Sequence, residues 1–97
     1  MTDSYTAENI GEYLKLIDQA ISGIEQEITD SGHGDEHHIH QVKDYLYNTR
    51  IMIAAGKFVF GARDLDYMSL IEQIKDDVPD YGLLLAINDI QKAGVLA

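Results

Sequence analysis

Ile10-Gly-Glu-Tyr-Leu-Lys-Leu-Ile17-Asp-Gln-Ala-Ile-Ser-Gly-Ile24-Glu-Gln-Glu-Ile28 decides the fold. Ile10, Leu14, Ile17, Ile21, Ile24 and Ile28 follow one another at steps of four, three, four, three and four. That rhythm lines one side of an α-helix with branched apolar side chains and leaves the opposite side polar. Such a seam is stable in water only when a second helix covers it. The spacing predicts a helix over residues 6–29, opened by the Thr6 hydroxyl with Glu8 in its first turn. Gly11 and Gly23 weaken it by up to ~1 kcal/mol each, so packing has to hold it.

The stretch Asp30-Ser-Gly-His-Gly34 is a turn-forming cluster. Asp35 then suits the cap of a second helix, predicted over 35–60. Its apolar residues form two stripes. Ile39, Val42, Leu46, Thr49, Ile53 and Phe60 make one; Tyr47, Ile51, Ala54 and Phe58 make the other, about 120° away. A helix apolar on two sides is expected to be sandwiched between neighbours. The stripes hold phase across Gly56, which favours continuation to residue 60; a short extended segment at 57–60 is the alternative, because Phe-Val-Phe also suits a strand.

Two shorter helices follow. One is predicted over 65–76 behind Asp64, with Leu65, Met68, Ile71 and Ile74 on its apolar face and Leu70 beside them. The other is predicted over 79–93, with Pro79 in its first turn and Gly94 as its stop. Leu83, Leu84, Leu85, Ile87 and Ile90 point in most directions around this last helix, which predicts deep burial or an association surface. The fold class is therefore all-α: a bundle of about four helices, two long and antiparallel and two shorter, in a single domain over 1–97.

Composition narrows function by exclusion. The chain holds 17 acids and seven bases, a formal charge of −10 in 97 residues. That excess repels phosphates and anionic lipid heads, so direct nucleic-acid or membrane binding is not expected and a basic protein is the natural partner. The surplus is uneven. Residues 1–36 carry nine acids and one base, 37–63 carry one acid and four bases, and 64–97 carry seven acids and two bases. There is no cysteine, which excludes disulfides, thiolate metal sites and cysteine nucleophiles. The first residues show neither a basic region nor an apolar run, and no stretch approaches the ~20 apolar residues of a membrane span, so a cytoplasmic protein is expected.

No enzyme motif is present. Gly-x-Ser-x-Gly is absent, Gly32-His-Gly34 lacks the lysine and the strand–helix context of a phosphate loop, and no calcium-loop spacing occurs around Asp30–Glu36. Catalysis and a bound cofactor are accordingly not expected. One cluster could hold a metal. His37, His40 and Asp44 stand at helical spacings of three and four, and His33 in the preceding loop offers a fourth donor. Two imidazoles and a carboxylate suit zinc or nickel. The four histidines could also respond to pH. His38 points toward the core stripe and is expected to be partly buried.

The reading that these features favour is a small protein-binding module of the inhibitor, immunity or regulatory kind. Its partner would be basic, such as a nuclease or a nucleic-acid-binding complex, and its carboxylates would imitate phosphate. Glu8, Glu12, Glu25 and Glu27 on the first helix, with Asp76, Asp77, Asp80 and Tyr81, are the candidate contact residues. A metal-binding helical protein built on the histidine cluster is one alternative. A homodimeric scaffold joined through the second or the last helix is another.

Overall fold

A computed structural model describes residues 5–31, 37–58, 60–61, 65–76, 78 and 80–94. Four helices are formed in the order α1 (Ile10–Ser31), α2 (His37–Ala54), α3 (Leu65–Gln73) and α4 (Tyr81–Ala93), with no strand among the described residues. The expected all-α bundle is what the chain builds. Its radius of gyration is 12.9 Å, close to the ~12.5 Å of a compact chain of this length.

Each helix packs on the next in sequence, and α4 closes the ring against α1. α1 and α2 are antiparallel: Tyr47 meets Glu25 while Arg50 meets Asp18, so advancing along one helix retreats along the other. α4 also runs opposite to α1. Leu83 and Leu84 lie at the level of Ala20 and Ile24, whereas Gly94 reaches Phe60, which packs on Tyr13.

The isoleucine seam turns inward as its spacing demands. Ile17, Ile21 and Ile24 are buried and Ile10, Leu14 and Ile28 are half-buried. Ile39, Val42, Leu46 and Ile53 of α2, Tyr67, Ile71 and Ile74 beside α3, and Leu83, Leu84, Ile87 and Ile90 of α4 complete the core. Most of the apolar surface of α4 is thus used inside the bundle, and Leu85 is its one large apolar side chain that stays exposed, at 37%.

The ends of the helices differ from the sequence expectation in instructive ways. α1 is opened by Asn9 and not by Thr6. The Asn9 side-chain carbonyl accepts the Glu12 N–H at 2.9 Å, and the Glu12 carboxylate reaches back to accept the Glu8 N–H at 2.8 Å. This reciprocal pair satisfies amides that the first turn leaves without helical partners.

α2 stops at Ala54 and does not run to residue 60. Gly56 takes a φ of +72°, its N–H bonds the Ile53 carbonyl, and the Lys57 N–H bonds the Met52 carbonyl. That is a Schellman closure, which a residue without a Cβ completes cheaply. Beyond it, Phe58 and Phe60 pack on each other (centroids 4.8 Å apart) and both face Tyr13. Residues 57, 58 and 60 are accordingly non-helical, without strand structure.

α3 ends at Gln73 and tightens into a turn through Ile74 N–H to the Ile71 carbonyl, three residues short of the predicted end. α4 begins at Tyr81, where the Asp80 carboxylate accepts the Leu83 N–H at 3.1 Å. It closes as expected at Gly94, with φ +85° and its N–H on the Ile90 carbonyl. The proposed caps Asp35 and Asp64, and Pro79, lie outside the described residues.

The predicted sandwiching of α2 is not found. Within α2 its second stripe faces solvent, with Ile51 64% and Tyr47 38% exposed and Ala54 also outside, whereas Phe58, beyond the end of the helix, packs on Tyr13. α3 packs on α2 beside the first stripe, where Tyr45 stacks on Tyr67 with centroids 4.6 Å apart. Among the described residues no helix is long and apolar enough to cross a membrane.

Candidate functional site

The water-facing side of α1 carries scattered carboxylates, Asp18 and Glu25 toward α2 and Glu12 and Asp30 about 120–140° further round the helix. Glu12, Asp18, Glu25 and Asp30 are exposed, Glu27 is half-buried, and Glu8 stands exposed just before the helix. Lys15 is the single base within α1. These positions are acidic because the seam takes the other side of the same helix, leaving only this face to water.

Several of the carboxylates already have tasks. Glu12 caps its own helix. Glu25 accepts the Tyr47 hydroxyl at 2.9 Å, which raises the Tyr47 pKa. Asp18 pairs with Arg50 at 3.0 Å, with both side chains about half exposed. Such an exposed pair contributes less than ~1 kcal/mol, and salt screens it. The α1–α2 edge is thus clasped by polar contacts.

The α1–α4 edge is different. Here Ala20, Gly23 and Ile24 of α1 face Val78, Leu83 and Leu84 across an open cleft of about 150 Å³. Gln19 and Asp80 are its polar members. A Cβ built on Gly23 would meet nothing within 4 Å, so the missing side chain leaves free volume and is not required by a close helix approach. Asp80 is half-buried. Besides the Leu83 N–H on Oδ1, its Oδ2 accepts the Tyr5 hydroxyl.

The predicted contact residues are spread over the bundle. Asp80 lies beside the middle of α1, although 57 residues separate it from Gly23 in sequence. Glu8 and Glu12 stand at the opposite end of α1 from Glu25 and Glu27. Asp76 is exposed, Tyr81 is half-buried against the core, and Asp77 lies outside the described residues.

Of the metal candidates, His40 is half-buried and Asp44 exposed on α2. His33 and the His37 side chain lie outside the described residues. Among the described residues no three His, Cys, Asp or Glu side chains gather into a metal-binding group. His38 is exposed, contrary to expectation, with its ring Nδ1 3.3 Å from the Gln41 side-chain oxygen.

The tyrosines hold features that sequence reasoning missed. Tyr13 and Tyr67 are fully buried. Burial pushes both hydroxyls to pKa values well above the ordinary 10. Tyr67 donates to the Leu84 carbonyl at 3.0 Å. Among the described residues the Tyr13 hydroxyl and the Gln91 side-chain oxygen find no hydrogen-bond partner. A partial signal existed for Tyr13, which sits four residues before Ile17 and so one turn along the buried side.

No family model matches the chain, and no curated protein or solved structure matches it. What its fold and surface define is a class: a four-helix acidic bundle.

Proposed function

We propose that this protein acts by binding a basic protein, as an inhibitor, immunity-type or regulatory module. The observation that carries the reading is the outward face of α1, where acids outnumber the lone base. Charge of this sign speeds encounter with a cationic partner and repels nucleic acid itself.

The phosphate-imitating form of this reading can be weighed by spacing. Five carboxylates between Glu12 and Asp30 occupy about 27 Å of helix rise, so one falls roughly every 5–7 Å. A DNA strand carries one charge per ~3.4 Å and the duplex one per ~1.7 Å. α1 alone is a thinner line of charge than either. Imitation of a nucleic acid therefore also needs the exposed acids elsewhere, such as Asp66, Glu72 and Asp89.

Calorimetry with a lysine-rich peptide tests the proposal. Affinity is expected to fall on the order of tenfold or more between low and high salt. A Glu8→Gln/Glu25→Gln protein should bind more weakly than an Asp66→Asn/Glu72→Gln protein, which loses the same charge from α3. Gln at position 25 keeps an acceptor for Tyr47. Affinity that ignores salt, or equal losses in the two proteins, contradicts the reading.

A second reading has one observation in its favour. Tyr47, Ile51 and Ala54 form an exposed stripe on α2, as a homodimer seam would. Light scattering over a range of concentrations decides it: mass that doubles on concentration, and fails to do so in Ile51→Asp, supports self-association, and a constant monomer mass rejects it.

A further inference from the structure

The cleft between α1 and α4 adjoins the acidic face and differs from it in chemistry. Its walls are aliphatic: Ala20, Ile24, Leu83 and Leu84. Among the described residues, Asp80 is the ionisable group lining it. Both Asp80 oxygens are held by neutral donors, the Leu83 N–H and the Tyr5 hydroxyl, which fix the carboxylate in place without cancelling its charge. Among the described residues no cationic side chain pairs with it. Gly23 keeps the cleft open at a helix position where any larger helix former would begin to fill it.

We propose that this cleft receives a lysine side chain from the basic partner, with the methylene stem against Ile24, Leu83 and Leu84 and the ammonium at Asp80. The inference rests on the basic-partner reading above and gives it a socket. The size is right: an aliphatic cavity of ~150 Å³ holds benzene, and a lysine stem with its nitrogen has fewer heavy atoms. The chemistry is right as well. Lysine covers apolar surface with its stem while its charge seeks a carboxylate. Arginine fits less well. A guanidinium fork engages two carboxylate oxygens side by side, and here both already hold a donor, whereas an ammonium is a point charge that can approach from one side. The fixed carboxylate also lowers the ordering that binding requires.

Titration of the ¹⁵N-labelled protein with n-pentylammonium, followed at the Gly23, Leu83 and Leu84 amides, tests the site. Saturable shifts are expected there. The isosteric 1-pentanol should bind about tenfold more weakly, the loss expected for a charged hydrogen bond. Gly23→Leu fills the cleft and should abolish the shifts. Asp80→Asn keeps the helix cap and should bring pentylammonium down to the level of pentanol. Gly23→Leu should also weaken the lysine-rich peptide severalfold. Pentanol binding as tightly as pentylammonium, or undiminished pentylammonium binding in either variant, overturns the proposal. A folded Gly23→Leu protein that binds the peptide like the wild type also overturns it, while leaving the basic-partner reading standing. Wild-type protein that takes up pentylammonium but no lysine-rich peptide overturns the basic-partner reading and, with it, lysine as the occupant, leaving a site for a small organic ammonium.

Discussion

α1 has two edges, and they are finished differently. Toward α2 the outer contacts are polar and closed: Tyr47 on Glu25 and Arg50 on Asp18. Toward α4 the outer contacts are apolar and open: Gly23 leaves space above Leu83 and Leu84, and the nearest charge, Asp80, is held by its own helix and by Tyr5. Both edges belong to one regular helix with one buried seam. The seam sets the fold, and the two edges set what the surface can do. A polar clasp satisfies its charges internally, whereas an open apolar cleft with a fixed carboxylate leaves interactions for a partner.

The comparison can be broken at several levels. The largest effect belongs to the seam that both edges share. Ile17→Ala, at a fully buried position, should cost about 2–5 kcal/mol, a large fraction of the ~5–15 kcal/mol that a domain of this size possesses. Urea denaturation measures it. A loss below ~1 kcal/mol would mean that the seam is not the core.

The buried tyrosines come next. Their folded pKa values are raised by burial, so the stability they protect is complete below the ordinary value and is lost as pH rises above it. Each should contribute a decline of about 1.4 kcal/mol per pH unit above pH ~10. Tyr13→Phe should remove one share of that slope. At neutral pH the two Phe variants should part in sign. Tyr13→Phe deletes a hydroxyl with no partner and should stabilise by up to ~1–2 kcal/mol. Tyr67→Phe deletes the bond to the Leu84 carbonyl and should destabilise by about 1 kcal/mol. Equal effects from the two would contradict the difference in their partners.

The edges themselves give the smaller numbers. Gly23→Ala introduces a Cβ into open space and should raise stability by about 1 kcal/mol through helix propensity. A loss instead would show that the α4 edge is closely packed at Gly23. Arg50→Ala, at the clasped edge, should cost less than ~1 kcal/mol and lose even that in high salt.

How much of this was legible in the sequence depends on the range of the interaction. The isoleucine repeat reports a single helix and its covered side, and the burial or half-burial of all six of its positions follows directly from the spacing. The end of α2 was misread because the apolar stripes continue in phase beyond Gly56. The deciding interactions are the carbonyl contacts that a left-handed glycine permits and the distant ring of Tyr13 that Phe58 and Phe60 cover. Tyrosine burial was hidden for a similar reason. A phenol looks amphipathic until a carbonyl such as that of Leu84 is placed against it. The acidic face was readable from composition and helix phase. The cleft was not, because Val78 and Asp80 reach α1 only through the closure of the ring by α4.

The most direct test of a basic partner docking on the outward side of α1 is the amide footprint of a lysine-rich peptide on the labelled protein at low salt. The shifts are predicted to follow Glu12, Asp18, Gln19, Gly23 and Gln26 along α1, together with Leu83 and Leu84. Shifts confined to Tyr47, Ile51 and Ala54 on α2, or spread evenly over every exposed acid, would contradict it.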